Sequence, residues 1–246
     1  MQYLPGRLPK SATHAFHKDV YDCPASSDYY LFVVRDPLAR SRSAFVYGRP
    51  DEDGRSSEGK RWEDIKQIYL DCSFSTTNEL AALGLADDGG SSEECKQRAR
   101  DMLRGVVRYE EHLFFNYQYY LESIPYKSNI LIIRTEHMEE DWNDIELGLG
   151  GRSRANLTFP HSNSKQKEAR DYILGDEERM LLCHELCVEI QYYKMLLRNA
   201  VNIDDSEYDT SMTELQTSCQ KEAMLKQCDF HTPNIKEKVR EAVPGK

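Results

Sequence analysis

The chain has 246 residues and a formal charge of −10. That length suffices for one well-buried core with an appended segment. The acidic balance argues against general nucleic-acid binding, which rests on a net basic surface, and no run of about 18 apolar residues exists to span a membrane.

The opening, "MQYLPGRLPKSATHAFHK", lacks the apolar centre of a signal peptide, which leaves either a soluble chain or a piece whose membrane anchor lies upstream. Tyr29 to Val34 is a near-continuous apolar run, the pattern of a buried parallel strand. Asp36-Pro37 then supplies a helix N-cap and a proline at the first helical position, so a helix is expected over 37–47. "GRPDEDGRSSEGKR" (48–61) is a polar loop, after which Trp62, Ile65, Tyr69 and Cys72 recur at helical spacing. "STTNELAALGL" opens on capping residues and stops at Gly84. Residues 86–94 read as a surface loop.

One long helical stretch is expected from Cys95 to Ser123, kinked near Gly105 and ending in the aromatic-dense "HLFFNYQYYL". "NILIIRTE" (129–136) is a second strand, again closing on an arginine, and "HMEEDWNDIELGLGG" is an acidic amphipathic helix stopped by glycines. A loop follows, and then a helix over 176–200 with Met180, Leu181, Cys187, Val188, Tyr192 and Met195 on one side. Residues 201–246 read as a polar C-terminal extension to a domain spanning 1–200. Two strands ending in charged residues and separated by helices imply an α/β fold, a parallel sheet flanked by helices in a helix-rich chain. Ligands of such sheets sit at the carboxyl ends of the strands, where this sequence puts Arg35 and Arg134.

Seven cysteines accompany the sequon Asn156-Leu157-Thr158. Cys72 with Cys95, and Cys219 with Cys228, each flank a segment suited to a disulfide in an oxidising compartment. Cys183 and Cys187, one turn apart, fit core positions. The location read from this is the secretory pathway, with the cytoplasm as the alternative.

Arg35 emerges where a strand ends and a helix begins. The N–H groups of a first helical turn and the helix dipole favour an anion there, and a guanidinium offers a planar fork suited to phosphate. Ser43, two turns further on, reaches the same anion only if the ligand lies along the helix. Arg40, three residues before Ser43, adds charge to that face. The alternative is plain: Arg35 as an ion-paired strand end and Ser43 as a solvated helical serine.

The segment "VVRDPLARSRSAF" resembles the 3′-phosphate-binding segment of PAPS-dependent sulfotransferases, especially the Golgi carbohydrate type. The family pattern is a strand, Arg-Asp-Pro, a second arginine, then a serine followed by a small residue and an aromatic. "HLFFNYQYY" and "NILIIRTEHMEEDW" resemble later parts of the same domains, so the likeness runs over about residues 14–200. The resemblance implies a P-loop-like sulfotransferase fold and transfer of a sulfuryl group from PAPS (3′-phosphoadenylyl sulfate) to a glycan hydroxyl in the Golgi lumen, with no metal. It implies that Arg35 and Ser43 hold the 3′-phosphate of PAPS and that Arg40 stands at the second arginine.

The family's other signature is a glycine-containing loop around the 5′-phosphosulfate. Its counterpart here is "LPKSATH", with Lys10, Ser11 and Thr13 as the binding residues. This segment departs from the pattern. No apolar strand precedes it, and Ala12 stands where glycine permits close backbone approach to a phosphate. The loop is therefore degenerate, or it lies upstream. His14 and His17 match the position of a histidine that acts as general base in some members, taking the acceptor's proton as the sulfuryl group moves in line. For each, the other reading is a surface or capping role. The aromatic stripe Phe114, Phe115, Tyr117, Tyr119 and Tyr120 reads as core before acceptor platform. The rival to an enzyme is a catalytically inactive glycan- or protein-binding module on the same fold.

Overall fold

The computed structural model describes residues 29–50, 65–124, 128–152 and 173–219. Lys10, Ser11, Thr13, His14 and His17 lie outside them.

Strand β1 (Tyr29–Val34) pairs in parallel with β2 (Asn129–Arg134), Tyr29 opposite Asn129 and Val34 opposite Arg134. Helices pack on both faces of β2, so the coarse α/β expectation holds and the molecule is helix-rich. In β2, Ile130 and Ile132 face the main core, while Leu131 and Ile133 lie under Ile145 of α6 (Met138–Gly148). Each such fully buried aliphatic side chain contributes about 1.5–3 kcal/mol. β1 differs from the expected buried strand. Its Val34 is buried, but Leu31 and Val33, on the face that α6 covers over β2, are 50% and 58% exposed. Alongside β2, Ala200 continues the pairing, the Val201 N–H donates to the Ile130 carbonyl, and the Asn202 side-chain amide bonds both the N–H and the C=O of Ile132 at 2.8 Å.

α1 (Pro37–Gly48) starts as its sequence dictates: the Asp36 carboxylate accepts the Ala39 N–H at 2.8 Å, and Pro37 takes the first position. Leu38, Ser41, Phe45 and Gly48 form its buried stripe. A turn of π-helix (Gln67–Asp71) leads to the Cys72–Cys95 disulfide, which ties it to α3 (Glu93–Leu103). α2 (Thr77–Gly84) carries a full capping box between Thr76 and Glu79. Gly84 permits its close approach to α3, since a Cβ there would meet the Phe74 ring at 2.9 Å and the Ala99 Cβ at 3.0 Å. The core of this half is Phe74, Leu80, Ala81, Ala99 and Met102.

The single long helix expected over 95–123 is instead three. The break after α3 falls at Gly105, whose φ of 64° suits glycine. α4 (Glu111–Phe114) is capped by the buried Glu110 carboxylate and α5 (Tyr117–Ser123) by Asn116. The aromatic stripe is core, with Phe114, Phe115, Tyr117 and Tyr119 buried. The helix over 176–200 divides at Leu186 into α7 (Asp176–Glu185) and α8 (Cys187–Asn199). Of the anticipated side, Cys187 and Val188 are buried and Leu181 and Tyr192 pack on the core, but the central inward stripe is Leu182, Leu186, Ile190, Tyr193 and Leu197, and Met180 and Met195 are 39% and 47% exposed.

Residues 201–246, expected to be an appended extension, begin as part of the fold. α9 (Asp205–Ser218) opens on a capping box between Asp204 and Glu207, buries Leu215, and ends at Cys219, which is disulfide-bonded to Cys183. Cys219 thus pairs with Cys183 rather than Cys228, and Cys183 is a crosslinked residue as well as a core one. Disulfides of this kind belong to an oxidising compartment. No helix among the described residues is long and apolar enough to cross a membrane.

Candidate anion site at the carboxyl edge of the sheet

The parallel pairing brings two chain turns together at one edge: Arg35-Asp36 after β1, and Thr135-Glu136 after β2. Tyr117, on α5, fixes the first turn. Its hydroxyl accepts the Arg35 N–H at 2.7 Å and donates to the Arg35 carbonyl at 2.7 Å. Tyr117 is itself held by the buried Glu189, whose Oε2 accepts its N–H at 2.9 Å, and its ring stacks on Tyr193. Burial pushes the Tyr117 and Tyr193 phenols well above the ordinary tyrosine range, so both are neutral donors.

Three arginines came forward from the sequence, and they have three different fates. Arg35 keeps 41% of its side chain exposed, and its ion-pair contact among the described residues is with Glu136, Nε to Oε1 at 4.0 Å. Arg40 turns inward. Its guanidinium bonds Glu189 at 2.7 Å and the Phe115 carbonyl at 2.9 Å, donates to the His112 carbonyl, and covers the Tyr117 ring. Its charge therefore serves the scaffold beneath the edge. Arg134 is 2% exposed. It grips Asp141 through Nε and Nη2, and its Nη1 donates to the Glu207 carbonyl and Ser211 Oγ at 3.1 Å. It joins β2, α6 and α9 and does not face a ligand, which corrects its expected place at the site. Ser43 lies part-buried two turns into α1.

The edge also holds two carboxyl groups that the sequence did not assign to it. Glu136 Oε1 accepts the Asp36 N–H at 3.2 Å, so the same oxygen that meets Arg35 also meets the entrance of α1. Asp36 is 8% exposed; one oxygen caps α1 and the other, Oδ2, is buried without a hydrogen bond of ordinary geometry. Burial raises its pKa and the Glu136 charge raises it further, while the Ala39 N–H and the Ser218 hydroxyl offset part of the rise. The signal for Glu136 was present as Arg-x-Glu at the end of β2, but only the pairing register shows which turn it meets.

Chemically, this edge offers one part-exposed guanidinium, the N-terminus of a twelve-residue helix, and a carboxylate already placed against both. Among the described residues no group of three His, Cys, Asp or Glu is arranged to hold a metal ion. Comparison of the chain with protein-family models, with curated proteins and with solved structures gives no match.

Proposed function

We propose that the chain is a sulfotransferase domain of the Golgi carbohydrate type, which moves a sulfuryl group from PAPS to a hydroxyl of a glycan. One observation carries the reading. The parallel register of β1 and β2 sets the part-exposed Arg35 at the carboxyl edge, at the mouth of α1, while Arg40 and Arg134 are held inside. In this reading Arg35, the α1 entrance and Ser43 bind the 3′-phosphate; Lys10, Ser11 and Thr13 face the 5′-phosphosulfate. His14 or His17 takes the acceptor's proton as the S–O bond to the phosphate breaks and the S–O bond to the acceptor forms. Adenosine 3′,5′-bisphosphate leaves. Positioning and charge stabilisation supply most of the acceleration in a transfer of this kind. The disulfides suit a Golgi lumen.

The test is calorimetric titration with adenosine 3′,5′-bisphosphate. The wild-type chain binds, and Arg35→Ala weakens binding by roughly 10- to 100-fold, the range for losing a hydrogen bond from a charged group. Absence of binding by wild type sinks the reading. Ala12 in place of the loop glycine favours a second reading, a non-catalytic glycan- or protein-binding module. Transfer of labelled sulfate from PAPS to a glycan mixture separates the two.

A further inference from the structure

Glu136 occupies the place an anion would take. Its Oε1 accepts the Asp36 N–H at 3.2 Å and lies 4.0 Å from Arg35 Nε. These are the two donors that a phosphate at this edge would use. Its side chain is 30% exposed, and the Asp36 N–H is its one hydrogen bond among the described residues, so little holds it there beyond those two donors. A carboxylate so placed is a built-in competitor. We infer that Glu136 is an internal anion that sets the affinity and charge selectivity of the Arg35 site, yielding to a dianionic phosphate monoester and holding the position against singly charged anions. This rests on the anion-site reading above.

The physical reason is a comparison of charges. A singly charged ligand replacing Glu136 exchanges one monoanion for another and gains no Coulomb energy at Arg35. A dianion gains about one further charge at the same distance. It must also approach the displaced carboxylate, and two unit charges about 4 Å apart interact by about 1 kcal/mol even in water. Removing the Glu136 charge while keeping its shape should therefore tighten a phosphate by about fivefold. Asp36 lies behind the same entrance, and its buried carboxyl faces the helix it caps. It is common to all the variants below.

The experiment uses the whole chain with two probes, adenosine 3′,5′-bisphosphate and inorganic phosphate, titrated into wild type, Glu136→Gln, Glu136→Asp and Arg35→Ala/Glu136→Gln. Melting temperatures are followed in parallel. The expected result is about fivefold tighter binding of both probes by Glu136→Gln. Glu136→Asp should stay near wild type, and the gain should vanish in the double variant. A purely structural glutamate would lose affinity on substitution and would not gain it. Equal or weaker binding by a Glu136→Gln protein that melts as wild type does overturns the inference and leaves the sulfotransferase reading intact. If neither protein binds the bisphosphate but Glu136→Gln still gains for inorganic phosphate, the inference stands and the nucleotide reading falls. No binding of either probe by any variant overturns both.

Discussion

Replacing Arg134 by Met should destabilise the fold rather than alter a binding surface. The guanidinium is 2% exposed and Asp141 is fully buried. Arg134 Nε reaches both Asp141 oxygens, at 3.2 and 3.0 Å, and Nη2 reaches Oδ1 at 2.5 Å. Its Nη1 also satisfies the Glu207 carbonyl and Ser211. After the change, Asp141 keeps the Arg134 backbone N–H at 2.6 Å but no counter-charge. Removing one partner of a buried ion pair costs about 3–5 kcal/mol, because the other charge is left in a low-dielectric site. The methionine retains most of the apolar stem, so cavity formation adds little, and about 4 kcal/mol is expected. Urea unfolding followed by circular dichroism, with the disulfides kept oxidised, measures it. The double variant Arg134→Met/Asp141→Asn should recover part of the loss, since it removes the uncompensated buried charge while the amide oxygen can still accept the backbone N–H of residue 134. A loss below about 1 kcal/mol for Arg134→Met, or a double variant worse than the single one, refutes the buried-clamp account.

Two further outcomes follow from the same edge. Tyr117→Phe removes the hydroxyl that serves both backbone groups of Arg35; it should cost about 1–3 kcal/mol in urea unfolding and also weaken bisphosphate binding, because the strand end is no longer fixed. Asp36 is raised by burial, and by Glu136, above its ordinary value of 3.8. The native state therefore holds this proton more tightly than the unfolded chain does. The contribution is fully present below 3.8 and is lost as pH rises through the folded value. Asp36→Asn keeps the cap on α1, so its melting temperature should gain on wild type at neutral pH and converge with it in acid; scanning fluorimetry across pH reads this, and a constant difference at all pH values contradicts it.

Much of the frame was legible because it depends on neighbours in sequence. The N-cap of α1, the capping box of α2 and its stop at Gly84 are local hydrogen-bonding and backbone matters, and each falls where the sequence puts it. The phase of α7 and α8 was legible only in part. The anticipated side held for Cys187 and Val188, which are buried, but packing centres the inward face on Leu182, Leu186, Ile190, Tyr193 and Leu197 and leaves Met180 and Met195 exposed. The Cys183–Cys219 bond spans 36 residues, and proximity in sequence had pointed to Cys228. α9 did carry its own signal, Asp204 and Glu207 at capping-box spacing ahead of Tyr208, Met212 and Leu215. At the site, the arginines could be named from sequence, but their fates could not. Arg40 and Arg134 each meet a buried carboxylate, whereas Arg35 meets the part-exposed Glu136; Glu189 comes from 149 residues away in the chain, while Asp141 comes from the helix that directly follows β2.

Asn202 reduces a strand to a single side chain. Its amide carries a donor and an acceptor in the same spacing as a peptide group, and both are taken up by Ile132. Where a further strand would have propagated the ladder along β2, a side chain takes the place of its backbone at Ile132. An open ladder is a template for other chains. Beside Ile130 and Ile132 that margin of β2 is occupied by Ala200, Val201 and Asn202, which shields this edge from a further strand.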